Sequence, residues 1–261
     1  MGNMKNLIVT IITPSYNQGE YIEETIQSVL NQSYPHIEYI IIDALSTDAT
    51  PLVLDRYESN SRVSRIIREK DEGQADAIEK GFRMAKGEIV GWINSDDILA
   101  EDVVEKSVQH FRENSRVGLT YGDIVFIDGQ GKKIKTKKPH PDVSSKYLLN
   151  TDYDVYQPGS FYRKSAVESA GYLNRDLNFC MDLDLWLGIL GTHEARYING
   201  TASFFRWYET TKTANGGLQF LQEIFKTLNC HQARFLPRTK RRILWYSLKT
   251  IVKKVIARPG R

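Results

Sequence analysis

The sequence predicts an α/β fold in which a mostly parallel sheet is flanked by helices. Two observations carry this. Short apolar, β-branched runs at residues 7–12, 39–42, 64–67 and 89–93 alternate with segments whose apolar residues recur at helical spacing. Polar or acidic turn residues close most of the runs: Thr13-Pro14-Ser15-Tyr16-Asn17, Asp43, and Asn94-Ser95-Asp96-Asp97. In such sheets ligands bind beyond the carboxyl ends of the strands, so these distant segments are expected to meet in one crevice.

The elements follow in order. Residues 7–12 read as a strand buried on both faces. From residue 20 to 30, Ile22, Ile26, Val29 and Leu30 recur at helical spacing. Residues 39–42 form the second strand, and Thr50-Pro51 opens a helix with a cap residue followed by proline in the first turn. The third strand covers 64–67, a helix runs from about 74 to 85, and the fourth strand covers 89–93. Beyond residue 118, 120–121 and 124–127 read as strand, and Asp128-Gly129-Gln130-Gly131 as a hairpin turn. Helices are expected from about Lys164, from about Asp182 and from Leu218 onward.

Composition bounds the function classes. The chain has 261 residues, 41% hydrophobic and 26% charged, an ordinary balance that supports a core. A net charge of +3 is too small to argue for nucleic acid. Cys180 and Cys230 have no Cys or His partner at metal-ligand spacing and read as reduced thiols. No signal peptide, no membrane-spanning apolar run and no internal repeat are read, so a cytoplasmic protein is expected. Neither Gly-x-Gly-x-x-Gly nor a Gly-Lys-Ser/Thr loop follows the first strand. That argues against a dinucleotide oxidoreductase or a P-loop kinase.

The chemistry resides in carboxylates. Asp96-Asp97 places two adjacent acids after a buried strand, where their repulsion calls for compensation. Oxygen ligands there suit Mg²⁺ or Mn²⁺, which would also hold a diphosphate. The alternative is a cap for the helix leading to Val103 and Val104. Asp43 reads either as a strand-ending turn residue or as an acceptor for a base or ribose. Asp182-Leu183-Asp184-Leu185-Trp186-Leu187 reads as a helix N-terminus or as the site of a general base whose pKa burial raises. Spacing leaves open whether Asp182 or Asp184 faces the cleft.

Five motifs in order resemble family 2 of the glycosyltransferases. They are Thr13-Pro14-Ser15-Tyr16-Asn17; Asp43 with Ser46-Thr47-Asp48; Gly73-Gln74-Ala75-Asp76-Ala77; Ser95-Asp96-Asp97; and Asp182-Leu183-Asp184-Leu185-Trp186-Leu187. The resemblance covers roughly residues 7 to 213. It implies a GT-A fold, a Rossmann-like mixed sheet with flanking helices, assigned to residues 1–215; periodicity and charge make 216–261 a helical, basic extension. The resemblance implies inverting, metal-dependent transfer from a nucleotide-diphosphate sugar, with Mn²⁺ or Mg²⁺ as cofactor; a saccharide or lipid-linked acceptor is expected from the basic tail at residues 238–258. Thr13, Pro14, Tyr16 and Asn17 match the loop around the nucleoside, Asp43 the base contact, and Asp76 the lining of the nucleotide site. Asp96 matches the ribose-side carboxylate, Asp97 the metal ligand and Asp182 the catalytic base.

Four positions depart from the family pattern. Ala44-Leu45 replace a turn that usually carries glycine, and leucine dislikes positive φ. Glu79 stands where asparagine is usual, Met181 where a glutamate often precedes the base, and Tyr208 where histidine is usual. Arg206 and Lys212 read as solvated or ion-paired surface residues, with phosphate contact as the alternative. These departures keep a second class open, a non-catalytic nucleotide-sugar binding or assembly protein. A nucleotidyltransferase is the third reading, though the first loop lacks the glycine and lysine such enzymes carry.

Residues 238–258 combine a basic cluster at 238–242, Trp245-Tyr246, and apolar residues at helical spacing interleaved with lysines. This is the composition of a helix lying on an anionic membrane surface at the inner face. The alternative is a terminal helix packed on the domain. If the segment binds membrane, a chain cut after residue 237 sediments with anionic vesicles less than the full chain does. Equal sedimentation by the folded, shortened chain refutes the membrane role.

Overall fold

The computed structural model describes residues 6–209, 211–232, 240–241 and 244–245. The basic segment expected at 238–258 therefore lies outside the described residues, apart from Lys240, Arg241, Leu244 and Trp245.

The N-terminal half alternates as expected: β1 (Val9–Ser15), α1 (Ile22–Leu30), β2 (Ile37–Asp43), α2 (Thr50–Asp55), β3 (Arg65–Arg68), α3 (Gln74–Met84) and β4 (Ile89–Trp92). Then come β5 (Ile98–Leu99), α4 (Val103–Glu113), β6 (Val117–Ile127), β7 (Lys133–Lys137), α5 (Ser145–Asn150), β8 (Phe161–Arg163) and α6 (Lys164–Ser169). The chain continues with α7 (Met181–Ile189), β9 (Glu194–Arg206), α8 (Lys212–Asn215) and α9 (Gly217–Cys230). Strand order is β3-β2-β1-β4-β8-β6-β9-β5, with β7 pairing on β6. β3, β2, β1 and β4 are mutually parallel, as are β6 and β9; β8, β7 and β5 pair antiparallel.

Side chains alternate across the sheet and build a core on each face. Ile12, Ile40, Ile42, Val90 and Trp92 point to one face, where they meet Ala77, Ile78 and Phe82 of α3, Leu183 and Trp186 of α7, and Ile224 and Leu228 of α9. Ile11, Tyr39, Ile41 and Ile89 point to the other, against Ile22 and Ile26 of α1 and Val104 and Val108 of α4. The domain boundary expected at residue 215 falls between α8 and α9, and α9 nonetheless buries Ile224 and Leu228 in the first of these cores. Cys180 is buried, Cys230 exposed, and both are free thiols.

The structure departs from the sequence expectation at several places, among them the short elements β5, α5, β8 and α8. β1 continues through Thr13, Pro14 and Ser15, which pair in register with Ile41, Ile42 and Asp43. Proline is tolerated because β4 pairing ends at Ile12–Trp92, so Pro14 faces no ladder on that side. The two short strands expected at 120–127 are one strand, β6, with register shifts around Gly122–Ile124. β9 has no counterpart among the expected elements: Asn199-Gly200 breaks its pattern, and pairing with β6 imposes the extended conformation.

α3 lies close on β1 because Gly81 has no side chain. A Cβ there would sit 2.5 Å from Ile12 Cγ1. Gly81→Ala is therefore expected to destabilise the protein by about 1–3 kcal/mol through overpacking, despite alanine's better helix propensity. Urea unfolding of the variant against the parent checks this.

Candidate functional site

A cavity of about 730 Å³ opens at the carboxyl ends of β1, β2 and β4, the place the topology reserves for a ligand. Pro14, Ser15, Tyr16 and Gln18 form one wall; Ala44, Lys70, Asp71, Gly73 and Gln74 another. Trp92, Asn94, Ser95 and Asp96 come from the end of β4, and Asp182 with Phe179, Met181, Lys212 and Phe220 from the α7–α9 side. Four of the nine expected site residues thus line it: Pro14, Tyr16, Asp96 and Asp182.

The other five lie behind the lining and shape it. Thr13 is fully buried, with its hydroxyl 3.0 Å from the Tyr39 hydroxyl. Asn17 joins two loops: its N–H donates to Ser46 Oγ, and its Oδ1 accepts from Thr47 N–H, both at 2.8 Å. Asp43 is buried and accepts from Ser46, from N–H at 2.9 Å and Oγ at 2.5 Å. Both carboxylate oxygens therefore hold the turn after β2, and Ala44 presents that turn to the cavity. Leu45 takes φ 57, so the turn keeps the left-handed conformation that leucine disfavours. Asp76 accepts from Glu72 N–H at 3.1 Å and pairs with Lys80 at 3.1 Å and Arg175 at 2.8 Å, which turns it away from the ligand side. Glu79 pairs with the same Arg175 at 3.0 Å and with Arg83 at 2.7 Å, so this departure from the family pattern anchors α3 to the loop after α6.

Asp97, expected to hold the cation, lies beneath the cavity lining. It is 0% exposed; its Oδ1 accepts from Arg206 N–H at 2.9 Å and its Oδ2 from Asn94 Nδ2 at 3.3 Å. The cavity-facing carboxylate is Asp96, whose Oδ2 accepts from the Tyr208 hydroxyl at 3.0 Å. Burial raises the pKa of both acids. Asp97 goes higher because the neighbouring Asp96 charge adds repulsion to its complete desolvation. The cap alternative also falls away: β5 separates the pair from α4, whose N-cap is Asp102.

Asp182 and Asp184 separate in the same way. Asp184 Oδ1 lies 2.8 Å from Nε2 of His231, the C-cap of α9, whereas Asp182 lines the cavity. Desolvation pushes the Asp182 pKa up to about 6, against hydrogen bonds from the backbone N–H of Leu183 and of Asp182 itself and the charge of Lys212.

Two buried atoms of lining residues, Ser15 Oγ and Trp92 Nε1, have no hydrogen-bond partner among the described residues. Nothing in the sequence pointed to Lys70, Trp92 or Gln157, and Gln74 and Asn94 stood in its motifs without a role of their own. Gln74 Nε2 donates to Asn94 Oδ1 at 2.7 Å and Gln157 Nε2 to the Trp92 carbonyl at 2.8 Å, long-range pairings that no local pattern signals. Arg206 is not a surface residue: it is 1% exposed and paired with Glu24 at 2.5 Å.

Among the described residues no three His, Cys, Asp or Glu side chains cluster as a ready-made metal cage. A hard cation needs none when diphosphate oxygens and water complete its shell around one carboxylate, so Asp96 fits Mg²⁺ or Mn²⁺.

A parallel-stranded α/β fold with carboxylates and lysines around a cleft at the strand ends defines a nucleotide-binding enzyme architecture. The comparisons narrow it. Residues 10–171, more than half of the chain, match the model of Glycosyl transferase family 2, and the chain belongs to that family. It is similar to a putative teichuronic acid biosynthesis glycosyltransferase, TuaG, of Bacillus subtilis: 43% identity over 116 residues, 44% of this chain and 46% of that protein. It is also similar to a chondroitin synthase of Escherichia coli, 28% identical over 74% of this chain and 28% of the other. The chain spans about half or less of the length of these relatives. Among solved structures, S. aureus TarS 1–349 in complex with UDP-GlcNAc aligns with TM-score 0.68 at 15% identity, covering 96% of this chain and 73% of that one. A mannosyltransferase of Pyrobaculum calidifontis in complex with GDP-Man and Mn²⁺ aligns with TM-score 0.62 at 19% identity, covering 97% and 76%. These likenesses show the GT-A fold.

The raised pKa of Asp182 has a stability consequence. Because the folded value, about 6, lies above the ordinary 3.8, protonation favours the folded state. That contribution is complete below the unfolded pKa and is lost as pH rises through about 6. Asp182→Asn is therefore expected to be more stable than the parent at pH values above 6, by about 1–3 kcal/mol, and equal to it below pH of about 4. Denaturant unfolding at both pH values reads the difference.

Proposed function

We propose that the chain transfers a sugar from a nucleotide-diphosphate sugar to an acceptor hydroxyl, with inversion, in assembly of a cell-surface polysaccharide or glycolipid. The observation that carries this reading is the shared cavity, which sets the loop after β1, Asp96 and Asp182 around one space. Family membership supports it, as do relatives named for teichuronic acid and chondroitin synthesis and structural neighbours holding UDP-GlcNAc and GDP-Man with Mn²⁺.

The donor's nucleoside lies between the Pro14–Gln18 wall and the Ala44 turn. Lys70 and Lys212 face the diphosphate. Asp96, rather than Asp97, holds the Mn²⁺ or Mg²⁺. When bound, the cation supplies Lewis-acid stabilisation of charge on the departing diphosphate. Asp182 accepts the acceptor's proton at its carboxylate while the acceptor oxygen attacks the anomeric carbon, so one in-line displacement inverts the centre. Desolvation makes Asp182 a stronger base than a solvated carboxylate yet leaves it ionised at neutral pH. The protein works at the inner face of the membrane, and its acceptor is a growing saccharide or a lipid-linked one. Among the described residues no helix is long and apolar enough to cross a membrane.

Thermal unfolding against a panel of nucleotide-sugars tests the donor site, since a ligand bound by the folded state alone raises apparent stability. One donor class is expected to stabilise the protein only with Mn²⁺ or Mg²⁺, and Asp96→Ala is expected to lose that cation-dependent shift. A full shift in Asp96→Ala, or stabilisation independent of cation, contradicts the assignment. For transfer, kcat should fall on the acid side with a midpoint near the Asp182 value of about 6.

A further inference from the structure

Asp182 sits in the first turn of α7, and that helix start is held from outside. Its N-cap residue, Cys180, makes no side-chain cap bond. Instead Glu223, on α9, accepts from the backbone N–H groups of Asn178 at 3.0 Å, Phe179 at 2.7 Å and Cys180 at 3.2 Å. Successive N–H groups converging on one carboxylate make an anion nest, here filled by a side chain from 43 to 45 residues away.

α9 secures the same turn in two further ways. The Phe179 and Phe220 rings lie 5.8 Å apart. At the other end of α9, His231 meets Asp184 at 2.8 Å. The contacts fall on both sides of Asp182 in the chain. Lys212 belongs to the arrangement as well: its ammonium lies 5.8 Å over the Phe179 ring, and burial lowers its pKa while the charges of Glu223 and Asp182 oppose that shift.

We propose that Glu223 is a positioning residue for the reaction at Asp182: it occupies the N–H groups of residues 178–180 and shares Lys212, so that Asp182 faces the cavity with its carboxylate free to take a proton. This rests on the reading of Asp182 as the base. Without Glu223, the N–H groups of residues 178–180 lose their acceptor, and Asp182 is left as the carboxylate that acts on Lys212. A cation no longer shared favours the ionised Asp182 and weakens it as a base. The groups around Asp182 are Tyr153, Tyr162 and Cys180, whose own pKa values its charge helps raise, together with Lys212, which lowers that of Asp182.

The test uses the full chain with Mn²⁺ and the stabilising nucleotide-sugar. Glu223→Gln is expected to lower kcat by about tenfold or more, the cost of a small misplacement of a reacting group, while donor KM stays within about twofold. In ¹³C-carboxyl NMR, the Asp182 midpoint, located by comparison with Asp182→Asn, should fall by about one unit in Glu223→Gln. Leu228→Val, which removes buried volume from the same helix without touching the 178–180 loop, should lower Tm and leave kcat and the midpoint unchanged. If Glu223→Gln does not fold, Glu223→Asp carries the test, because it keeps the charge and withdraws it by one carbon. A parental kcat and midpoint in the Glu223 variant overturn the proposal, as does loss of kcat in step with Tm in both the Glu223 and Leu228 variants. If the unmodified chain turns over no donor, the transferase reading fails while the NMR titration still decides the role of Glu223.

Discussion

The site depends on one buried guanidinium. Arg206, the last residue of β9, donates from Nε to the Asp96 carbonyl at 3.0 Å, from Nη1 to the Gly129 carbonyl at 3.1 Å, and from Nη2 to Glu24 at 2.5 Å. Its backbone N–H donates to Asp97 at 2.9 Å, and its guanidinium lies 4.6 Å from the centre of the Tyr21 ring. One side chain thus ties β9 to the end of β4, the β6–β7 turn and α1. A buried charge is tolerated only when its donors are matched, and breaking such a set leaves an uncompensated ion. The fork of the guanidinium supplies several donors in fixed directions, which a lysine would not.

The Arg206 arrangement also divides labour between the adjacent acids. Asp97 takes the N–H of Arg206 and the amide of Asn94 and becomes part of the floor; Asp96, held by its backbone carbonyl, turns its carboxylate to the cavity. The same logic separates Asp184 from Asp182, because His231 claims the first and leaves the second to the cleft. At both places the acid withheld from the cavity is the one held by a residue far along the chain, Arg206 for Asp97 and His231 for Asp184.

Much of the site was legible as segments rather than as side chains. The loop after β1, the turn after β2, the start of α3, the end of β4 and the start of α7 all reach the cavity. Within those segments the reading often landed one or two residues away from the lining. Asp43 was expected where Ala44 faces the cavity, Asp76 where Gln74 does, and Asp97 where Asp96 does. Which carboxylate becomes a structural acceptor depends on groups far along the chain, such as Arg175 for Asp76 and Arg206 for Asp97. Strand β9 escaped for the same reason: its conformation comes from pairing with β6, not from its own alternation.

By itself the sequence determined the alternation of strands and helices in the first half and the crevice at the strand ends. Through its ordered motifs it also determined the family. Those features follow from local periodicity and turn chemistry, which a few neighbouring residues specify. Only the tertiary structure decided which acids line the cavity, that Arg206 is buried, and that a helix outside the residues matched to the family holds the turn bearing Asp182. Those outcomes are hydrogen-bond competitions between residues tens to more than a hundred positions apart, settled when the sheet closes and each buried acceptor takes its nearest donor.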